Sequence, residues 1–268
     1  MFINNINPVL FNIGPFSLRY YGVVYFIGFI LTYLVLKHST KNKTLKLTED
    51  QLDSYFIWVI IGSILMARIF EIFVYNFQEY ITNPSEMYKI WHGGLSYQGG
   101  IIGVIIVTLI FCKKYKIHFY DIADLIAIPA ALGLAIGKLA NYTNSELYGT
   151  ITNAIATPWC VVFQKIDSYC RHPTQIYEFF ANMFMFVTLL SYNIYNEKTK
   201  KKYKKGTLFW MFMIMYALLR FIVTFLRDEP QYFGLNVGQW TSLVMLVISV
   251  IFLVYIKYSK EKIKKVKL

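Results

Sequence analysis

The sequence predicts an all-α integral membrane protein with seven transmembrane helices, an N-terminus outside the cell and a C-terminus in the cytoplasm. Three observations support this prediction: 56% of the residues are hydrophobic, only 16% are charged, and the lysines gather in alternate connections. A soluble domain of this length carries more charge. We therefore expect residues 1–268 to form a single transmembrane domain, with residues 143–173 as a folded extracytoplasmic loop region.

Seven apolar blocks approach the length of about 20 residues that an α-helix needs to cross a bilayer. They are residues 20–37, 54–75, 97–112, 122–140, 175–195, 207–226 and 236–256. The preceding segment, residues 1–22, lacks a basic region and a small-residue cleavage site, so it does not resemble a removable signal peptide. Because Asn, Pro and Gly interrupt it, we expect this segment to lie at the membrane interface.

The lysines predict the orientation. They cluster in the connections after the first, third and fifth blocks and in the tail, at residues 37–46, 113–116, 198–205 and 257–267. An excess of Lys and Arg marks the cytoplasmic side of a membrane protein, which places the N-terminus outside. Topology and attraction to anionic lipid then explain the net charge of +12, and we expect no nucleic-acid partner.

The arginines follow a different pattern from the lysines. All five lie outside the lysine clusters, in or near the outer half of the predicted membrane region: Arg19, Arg68, Arg171, Arg220 and Arg227. A guanidinium group binds phosphate with two hydrogen bonds, whereas a Lys ammonium group acts as a point charge. This distribution indicates an outward-facing site for an anionic group.

The cysteines and histidines predict no metal site, because no CxxC or HExxH spacing occurs and the four histidines are scattered. Cys112 ends the third block, where we expect a buried or interfacial thiol. Cys160 and Cys170 share the outer connection, where a disulfide is chemically allowed. The sequence leaves open whether their geometry permits one.

The stretch WHGGLSYQGGIIG, residues 91–103, contains two glycine doublets around Gln98. Gly99 and Gly103 form a GxxxG pair, which is typical of close helix packing. Glycine also lets backbone N–H groups approach a ligand closely. Both interpretations remain open at this stage.

The stretch GKLANYTNSELYG, residues 137–149, follows an apolar block. Lys138 lies roughly 25 Å along the helix from Asp121 at the inner surface, which places it in the outer leaflet. Lys138 could extend to the interface, with Asn141 and Asn144 ending the helix. An ionisable residue within a membrane segment is nevertheless a functional-site hypothesis by default, and Glu146 beside two amides strengthens it.

The stretch RHPTQIYE, residues 171–178, predicts a helix that starts after Pro173. Glu178 then lies near a helix N-terminus, where the dipole favours a carboxylate. That structural role suffices for Glu178. His172 lies in a suitable region for acid–base chemistry, although a single surface histidine usually performs none.

The stretch YALLRFIVTFLRDEP, residues 216–230, places Arg220 about 20 Å into the sixth block. A buried arginine needs an anionic partner, for which Glu146, Glu71 and a lipid phosphate are the candidates. Arg227 lies seven residues further on, near the same face. Tyr20 and Tyr21, which open the first block, are ordinary interfacial aromatic residues when taken alone.

Taken in order, these motifs resemble one family, the prolipoprotein diacylglyceryl transferases of bacteria. The resemblance covers nearly the whole chain and rests on these stretches: RYYG, ARIFEIFVYN, HGGLSYQGGIIG, GKLANYTNSELYG, RHPTQIYE, LLRFIVTFLR and GLNVGQ. It implies an enzyme of the bacterial cell membrane that transfers a diacylglyceryl group from phosphatidylglycerol to the lipobox cysteine thiol of a preprolipoprotein signal peptide. Glycerol phosphate is released, and no metal or other cofactor is needed.

The resemblance also implies roles for the residues of these motifs. The implied catalytic residues are Arg220, Glu146, Gln98 and Tyr21. The residues implied to bind phosphatidylglycerol are Lys138, Asn141, Asn144, Gly99, Gly100, Arg227 and His172. Cationic groups would stabilise the negative charge that develops on the departing phosphate, and the long outer connection would dock the signal segment of the peptide.

The chain departs from the family pattern at several positions. Lys138 replaces the usual Arg, Gln98 replaces a His and Thr224 replaces a Glu, while Ala140 and Ser145 stand where the pattern has Gly. Arg to Lys removes bidentate phosphate binding, and His to Gln removes a group that titrates near neutral pH. Two alternatives therefore stay open: a diverged paralogue that transfers a lipid moiety to another acceptor, and a membrane protein that binds or transports lipid.

Overall fold

Helices dominate the computed structural model, which describes residues 2–13, 16–90, 93–199 and 203–265. Residues 91–92 of the first glycine motif and parts of two lysine clusters, 200–202 and 266–268, lie outside the described residues. Eight α-helices are present in the described part of the chain: α1 (Tyr20–Lys41), α2 (Glu49–Phe70), α3 (Phe77–Thr82), α4 (Tyr97–Tyr115), α5 (Phe119–Thr143), α6 (Thr174–Lys198), α7 (Thr207–Thr224) and α8 (Val237–Lys265).

Six of the helical segments are long and apolar enough to cross a membrane, judged by length and composition among the described residues. They are Tyr20–Lys41, Glu49–Tyr75, Gln98–Tyr115, Phe119–Thr143, Thr207–Thr224 and Val237–Ile256. The prediction of an integral membrane protein is therefore confirmed, with six candidate spans. The block at 175–195 forms α6, which is not among the six, so a seventh span stays a prediction.

Short strands accompany the helices. β1 (Phe2–Asn4) pairs in parallel with β4 (Val161–Phe163), which pairs antiparallel with β5 (Cys170–Arg171). Two small hairpins complete the strands: β2 (Val9–Ile13) with β3 (Phe16–Arg19), and β6 (Gln231–Tyr232) with β7 (Leu235–Asn236).

Cys160 and Cys170 form a disulfide, which settles the question that the sequence left open. The Cα atoms of Cys160 and Cys170 lie 5.5 Å apart, within the range that a disulfide requires. Cys160 directly precedes β4 and Cys170 begins β5, so the bond links two neighbouring strands. Disulfides persist in oxidising compartments. The free Cys112 is buried, as expected.

The chain divides into two compact units. The smaller unit, Leu36–Ile122, is built on the pairing of α2 with α4. The two helices approach closely because glycines face the partner helix. A Cβ on Gly103 would lie 2.5 Å from the carbonyl oxygen of Gly62 and 2.9 Å from Cβ of Met66. The GxxxG pair therefore packs helices, and a hydrogen bond of 2.9 Å joins the Tyr55 and Thr108 hydroxyls across the same interface.

The larger unit, Met1–Val35 and Ala123–Leu268, contains α6, α7 and α8 and most of α1 and α5. Its core includes these buried side chains of α5, α6 and α7: Ala127, Ala131, Met185, Leu189 and Leu208. Asp124 of α5 accepts hydrogen bonds from the backbone N–H groups of Gly206 and Phe209 at 2.6 and 2.8 Å. The carboxylate thus satisfies donors at the start of α7, where a helix dipole favours negative charge.

Candidate active site

A buried carboxylate, Glu178, joins two cations in the larger unit. Lys138 Nζ lies 2.5 Å from Glu178 Oε2, and Arg227 Nη2 donates to Oε1 and Oε2 at 3.0 and 2.9 Å. Only 3% of Glu178, 5% of Arg227 and 8% of Lys138 is exposed. Buried charges of this kind are stable only because the carboxylate and the two cations neutralise and hydrogen-bond one another.

The first turn of α6 aligns Glu178 with α5. Thr174 Oγ1 donates to the carbonyl of Leu147 at 2.6 Å, and Gln175 Nε2 donates to the carbonyl of Glu146 at 2.5 Å. These bonds tie the start of α6 to the loop that follows α5. The predicted helix start after Pro173 is confirmed. The purely helix-terminal role predicted for Glu178 is incomplete, because its carboxylate also binds two cations.

Arg227 is held on both sides. Its Nη1 donates to Glu229 Oε1 at 2.7 Å, opposite the bond to Glu178. Its backbone forms a β-bridge with Gly149. A Cβ at Gly149 would lie 2.7 Å from Cβ of His172, so only glycine allows the backbone at residue 149 to lie this close to His172. Arg227 is therefore part of a closed ionic group, although its Nε atom donates no hydrogen bond within the described part of the chain.

Arg220 has a different environment. Its Nη1 donates to the Tyr216 hydroxyl at 3.1 Å, one turn back on α7. None of the ion pairs found among the described residues includes Arg220. Of the partners that the sequence analysis named, Glu146 bonds to Tyr21 and Asn144, and Glu71 accepts from Asn76 in the smaller unit. In the described part of the chain, Arg220 is thus the cation of this region without a direct ion pair, although Glu178 lines the same crevice.

Arg220 lines a small crevice, which it shares with these residues: Lys138, Glu178, Ala181, Asn182, Tyr216 and Leu219. The cavity volume is about 10 Å³, roughly room for one water molecule. The cations Lys138, Arg220 and Arg227 face two carboxylates, Glu178 and Glu229, so three positive charges minus two negative charges leave an excess of one. The region is suited to an anion, which must displace side chains to enter.

A second polar cluster lies one turn further along α5. Asn141 Nδ2 donates a hydrogen bond to the Tyr21 hydroxyl, which in turn donates to Glu146 Oε2 at 3.1 Å. Asn144 Nδ2 donates to the other carboxylate oxygen, Oε1, at 3.1 Å. The structure therefore brings together four residues that the sequence predicted as a site. Lys138, three residues before Asn141, links this cluster to Glu178.

The loop of this cluster depends on left-handed backbone at two residues. Ser145 has φ +57° and Leu147 has φ +56°, a region that favours glycine. The family pattern has Gly where this chain has Ser145, which the backbone now explains. The Ser145 hydroxyl and Asn144 Oδ1 are buried and have no hydrogen-bond partner among the described residues. These atoms remain available to a hydroxyl donor.

His172 has its contacts outside these two clusters. Its Nδ1 lies 3.2 Å from the Tyr177 hydroxyl, which also accepts a hydrogen bond from Trp159 Nε1 at 2.7 Å. Because the Tyr177 hydroxyl accepts from Trp159, its own proton is free to point at Nδ1. Burial lowers the pKa of His172, so the imidazole is neutral at pH 7.

The remaining predicted site residues belong to the smaller unit. Gln98 is exposed, and its Oε1 accepts a hydrogen bond from Ser96 Oγ at 3.4 Å. A Cβ on Gly99 would lie 2.9 Å from Cα of Ala67, so Gly99 packs against α2. Gly100 has more room, with Cβ of Ala67 at 3.9 Å. In the described residues, no group of three or more His, Cys, Asp and Glu side chains is arranged to hold a metal ion.

The sequence reasoning missed two members of the site, Glu178 as the shared counter-ion and Tyr216 as the partner of Arg220. The available signal for Glu178 was a carboxylate in an otherwise apolar helix, which is itself a functional-site hypothesis. No signal identified Tyr216, because tyrosines are common throughout the chain.

The sequence matches a known family along most of its length. A sequence model described as "Prolipoprotein diacylglyceryl transferase" covers residues 8–255. A protein of Rickettsia canadensis named phosphatidylglycerol–prolipoprotein diacylglyceryl transferase is 34% identical over 253 residues, covering 92% of this chain and 96% of that protein. Proteins of the same name from Rickettsia felis and Legionella pneumophila (strain Lens) are each 35% identical, over 91% of this chain and 94% of theirs.

Proposed function

Because this chain belongs to the prolipoprotein diacylglyceryl transferase family, we propose that it transfers a diacylglyceryl group from phosphatidylglycerol to the lipobox cysteine thiol of preprolipoproteins. The chain is a transferase of lipoprotein maturation. The observation that carries the mechanism is the environment of Arg220, a cation in an apolar helix that forms no direct ion pair among the described residues.

The reaction makes one bond and breaks one. The cysteine sulfur forms a C–S bond with the diacylglycerol carbon that bears the phosphate ester, and the C–O bond to that phosphate breaks. Glycerol phosphate leaves with the electron pair of the C–O bond. The thiol proton passes to an acceptor, because only the thiolate is an effective nucleophile. Catalysis therefore needs a site for the departing anion and a proton acceptor.

Arg220 supplies the site for the departing anion. A preorganised guanidinium group in a dry site stabilises the charge that develops on the leaving phosphate more strongly than water does. Lys138 also lines the crevice, and its ammonium group is bound to Glu178. An entering phosphate competes with Glu178 for Lys138 and Arg227. Glu178 thereby holds both cations in place before the lipid arrives.

The cluster of Tyr21, Asn141, Asn144 and Glu146 binds the hydroxyl groups of the lipid headgroup. Its amide and carboxylate oxygens match the alcohol groups of glycerol, and the unpartnered Asn144 Oδ1 accepts one of them. Glu146 is also the proposed proton acceptor, because its carboxylate is the only acid in this cluster. Tyr21 orients that carboxylate through its hydrogen bond.

The other assigned roles stay proposals that follow from the family resemblance. Gln98 replaces an ionisable histidine, so its role is restricted to hydrogen bonding. Gly99 and Gly100 lie in the first turn of α4, where Gly99 is buried against α2 and Gly100 has more room beside it for a ligand. His172 binds substrate as a neutral group, since burial lowers its pKa.

The proposed topology has seven spans in the bacterial cell membrane, with the N-terminus outside and the C-terminus in the cytoplasm. The lysine clusters support this orientation. The Cys160–Cys170 disulfide supports an extracytoplasmic location for residues 143–173. α6 spans as the seventh helix, because its 25 residues extend for roughly 37 Å.

Transfer assays test this proposal directly. The purified chain is placed in phosphatidylglycerol vesicles with a synthetic peptide that carries an apolar signal segment and a lipobox cysteine. We expect the peptide to gain the mass of one diacylglyceryl group. Two matched controls are phosphatidylethanolamine vesicles and a peptide with serine in place of cysteine, neither of which should react. Folded protein that leaves the cysteine peptide unmodified contradicts the proposal and favours a different acceptor.

A further inference from the structure

A second, apolar cavity lies in the larger unit, away from the ionic groups. Its lining residues define the aromatic pocket: Phe2, Tyr142, Trp159, Val161, Pro173, Ile176, Tyr177 and Phe180. The cavity volume is about 510 Å³, in the range of sites that bind small apolar groups. Nothing in the proposed chemistry uses this pocket.

The walls of the aromatic pocket are almost entirely apolar. Trp159 Nε1 and the Tyr177 hydroxyl, two of its few polar atoms, are already bonded to each other at 2.7 Å. The indole and phenol rings therefore offer apolar faces to an occupant. Trp159 and Phe2, which lie outside the apolar helices, are 55% and 59% exposed, although burying large aromatic surface is strongly favourable. An occupant with apolar side chains removes this cost.

A free strand edge borders the same pocket. β1, which contains Phe2, is an edge strand in the sheet order β1–β4–β5 among the described residues. Phe2 N donates to the carbonyl of Cys160, and Gln164 N donates to the carbonyl of Asn4. In a parallel ladder, alternate residues point their backbone groups to opposite sides. The N–H and C=O groups of Ile3 therefore face away from β4.

A strand edge beside an apolar pocket is the arrangement that recognises an extended peptide. Backbone hydrogen bonds to the edge supply affinity, and a pocket for side chains supplies specificity. A lipid tail has no amide group and gains nothing from the edge. In addition, half of the lining comes from the sheet and the loops beside this strand edge: Phe2, Trp159, Val161 and Pro173.

We propose that the aromatic pocket and the free edge of β1 dock the acceptor peptide, with apolar side chains beside its cysteine in the pocket and its extended backbone on Ile3. This assignment rests on the proposed function, which supplies a signal peptide as the acceptor. It names a docking surface that the outer loop region forms together with β1, the end of α5 and the start of α6.

The aromatic pocket is connected to the polar clusters through two helices. Tyr142 of the pocket is adjacent to Asn141 on α5, and Tyr177 is adjacent to Glu178 on α6. Adjacent residues on a helix point about 100° apart, so each helix presents one face to the pocket and another to a polar cluster. A peptide held in the pocket is thereby anchored on the helices that carry the lipid-binding residues.

Kinetics with two substrates test the pocket. Trp159→Ala removes an aromatic anchor and should raise KM for the peptide about tenfold, leaving KM for phosphatidylglycerol and kcat unchanged. Trp159→Phe keeps the apolar wall without the hydrogen bond, and its peptide KM should stay near the wild-type value. Phe184→Ala is the matched control, because Phe184 is an exposed aromatic residue of α6, one turn beyond Phe180, outside the pocket. A rise in KM for the lipid alone, or in neither KM, overturns the proposal.

Ile3→Pro tests the strand edge separately. Proline removes the outward N–H group and is tolerated on an edge strand, so the bonds to β4 remain. We expect a peptide KM about fivefold higher, as for the loss of one hydrogen bond. An unchanged peptide KM removes the strand edge from the proposal.

Photocrosslinking to the wild-type chain keeps the test independent of variant folding. The probe is the serine-for-cysteine peptide with a photoreactive phenylalanine three residues before the serine, in phosphatidylglycerol vesicles. Crosslinks to Trp159, Phe180 or Phe2, identified by mass spectrometry, are the expected result. Crosslinks confined to other segments overturn the docking site. Because this peptide accepts no lipid, the result is separate from the transfer assay, whose failure concerns the proposed function alone.

Discussion

Arg68 in the smaller unit and Arg220 in the larger unit are both arginines of apolar helices, yet their guanidinium groups have different partners. Arg68 Nε donates to the carbonyl of Met87 at 3.0 Å, Nη1 donates to those of Gly93 and Gly94 at 2.6 and 2.7 Å, and Nη2 donates to that of Glu86. Its guanidinium carbon also lies 4.9 Å from the centre of the Tyr80 ring. By contrast, Arg220 donates one side-chain hydrogen bond, to the Tyr216 hydroxyl, and lines the small crevice.

The difference separates a structural arginine from one available to a ligand. The carbonyl groups around Arg68 accept from four of its five N–H groups. They tie Arg68 to Glu86, Met87, Gly93 and Gly94, so most of its donors are not available to a phosphate. The positive φ angles of Gly93 and Gly94, +96° and +76°, let both carbonyls turn toward Arg68. Arg220 keeps donors free. The position of an arginine within a membrane segment therefore indicates function only together with its partners.

Replacing Arg220 by alanine should give the largest effect. We expect transfer to fall by about 10³-fold, because one preorganised donor to a developing anion contributes about that much. The thermal unfolding midpoint should change little, since the hydrogen bond to Tyr216 is the side-chain bond that is lost. The assay is the mass gain of the lipobox peptide. Arg220→Lys keeps the charge and should retain part of the activity; full activity in the alanine variant would remove Arg220 from the mechanism.

Glu178→Gln should destabilise the larger unit by about 3 kcal/mol, because Lys138 and Arg227 lose the carboxylate that neutralises them. Thermal unfolding in detergent measures this loss. Glu197→Gln, on the same helix but exposed, is the matched control and should change stability little. Equal midpoints for both variants would show that the buried ion pairs do not hold the helices together.

Arg68→Ala should cost about 2 kcal/mol of stability, because the carbonyls around Arg68 lose their donor within a buried site. The loss should appear as a lower unfolding midpoint and as faster proteolysis at residues 86–90. The exposed Arg19 on β3 provides the control substitution Arg19→Ala. A variant that unfolds like the wild type would contradict the structural role and weaken the contrast with Arg220.

Arg171 is a third type of arginine, because it pairs with carboxylates outside the membrane segments. Breaking one of these pairs should have the smallest effect on stability. It donates to Asp167 Oδ2 at 2.6 and 3.0 Å and to Asp228 Oδ2 at 2.7 Å. Hydrogen bonding from Arg171 lowers the pKa of Asp167 below its ordinary value of 3.8. The pair therefore stabilises the fold above about pH 4, and this contribution disappears as the pH falls through the lowered pKa.

Asp167→Asn should lower stability at pH 7 by less than about 1 kcal/mol, as for a partly exposed ion pair. Because the wild-type carboxylate is protonated at low pH, the difference between variant and wild type should shrink toward pH 3. Thermal unfolding at both pH values measures it. A difference that is constant with pH would show that the charge of Asp167 contributes nothing.

The sequence predicted the helices well because apolar run length is a local property. Six of the seven predicted blocks coincide with helices long and apolar enough to span a membrane. The cluster of Tyr21, Asn141, Asn144 and Glu146 was also predicted, since three of its members lie within six residues of one motif. For Lys138 the sequence left two interpretations open, extension to the interface and a role in a functional site, and it did not indicate the bond to the buried carboxylate of Glu178.

Pairings across the chain required the tertiary structure. Glu178 lies 40 residues from Lys138 and 49 from Arg227 in sequence, and no local pattern states that α5, α6 and the segment after α7 meet at one point. Contacts with segments that are distant in sequence also distinguish Arg68 from Arg220. Each is an arginine in an apolar stretch, and only the fold decides whether loop carbonyls or a narrow crevice lies beside it.

By itself, the sequence determined that this chain forms apolar helices, where its positive charge lies, and which family it resembles, because composition and motif order are properties of neighbouring residues. Only the tertiary structure decided that Cys160 reaches Cys170, that Glu178 joins two cations, and that Arg220 contacts a tyrosine hydroxyl beside an open crevice. The physical reason is that a buried charge is stabilised by whatever lies within about 3 Å of it, and packing between distant segments chooses those neighbours.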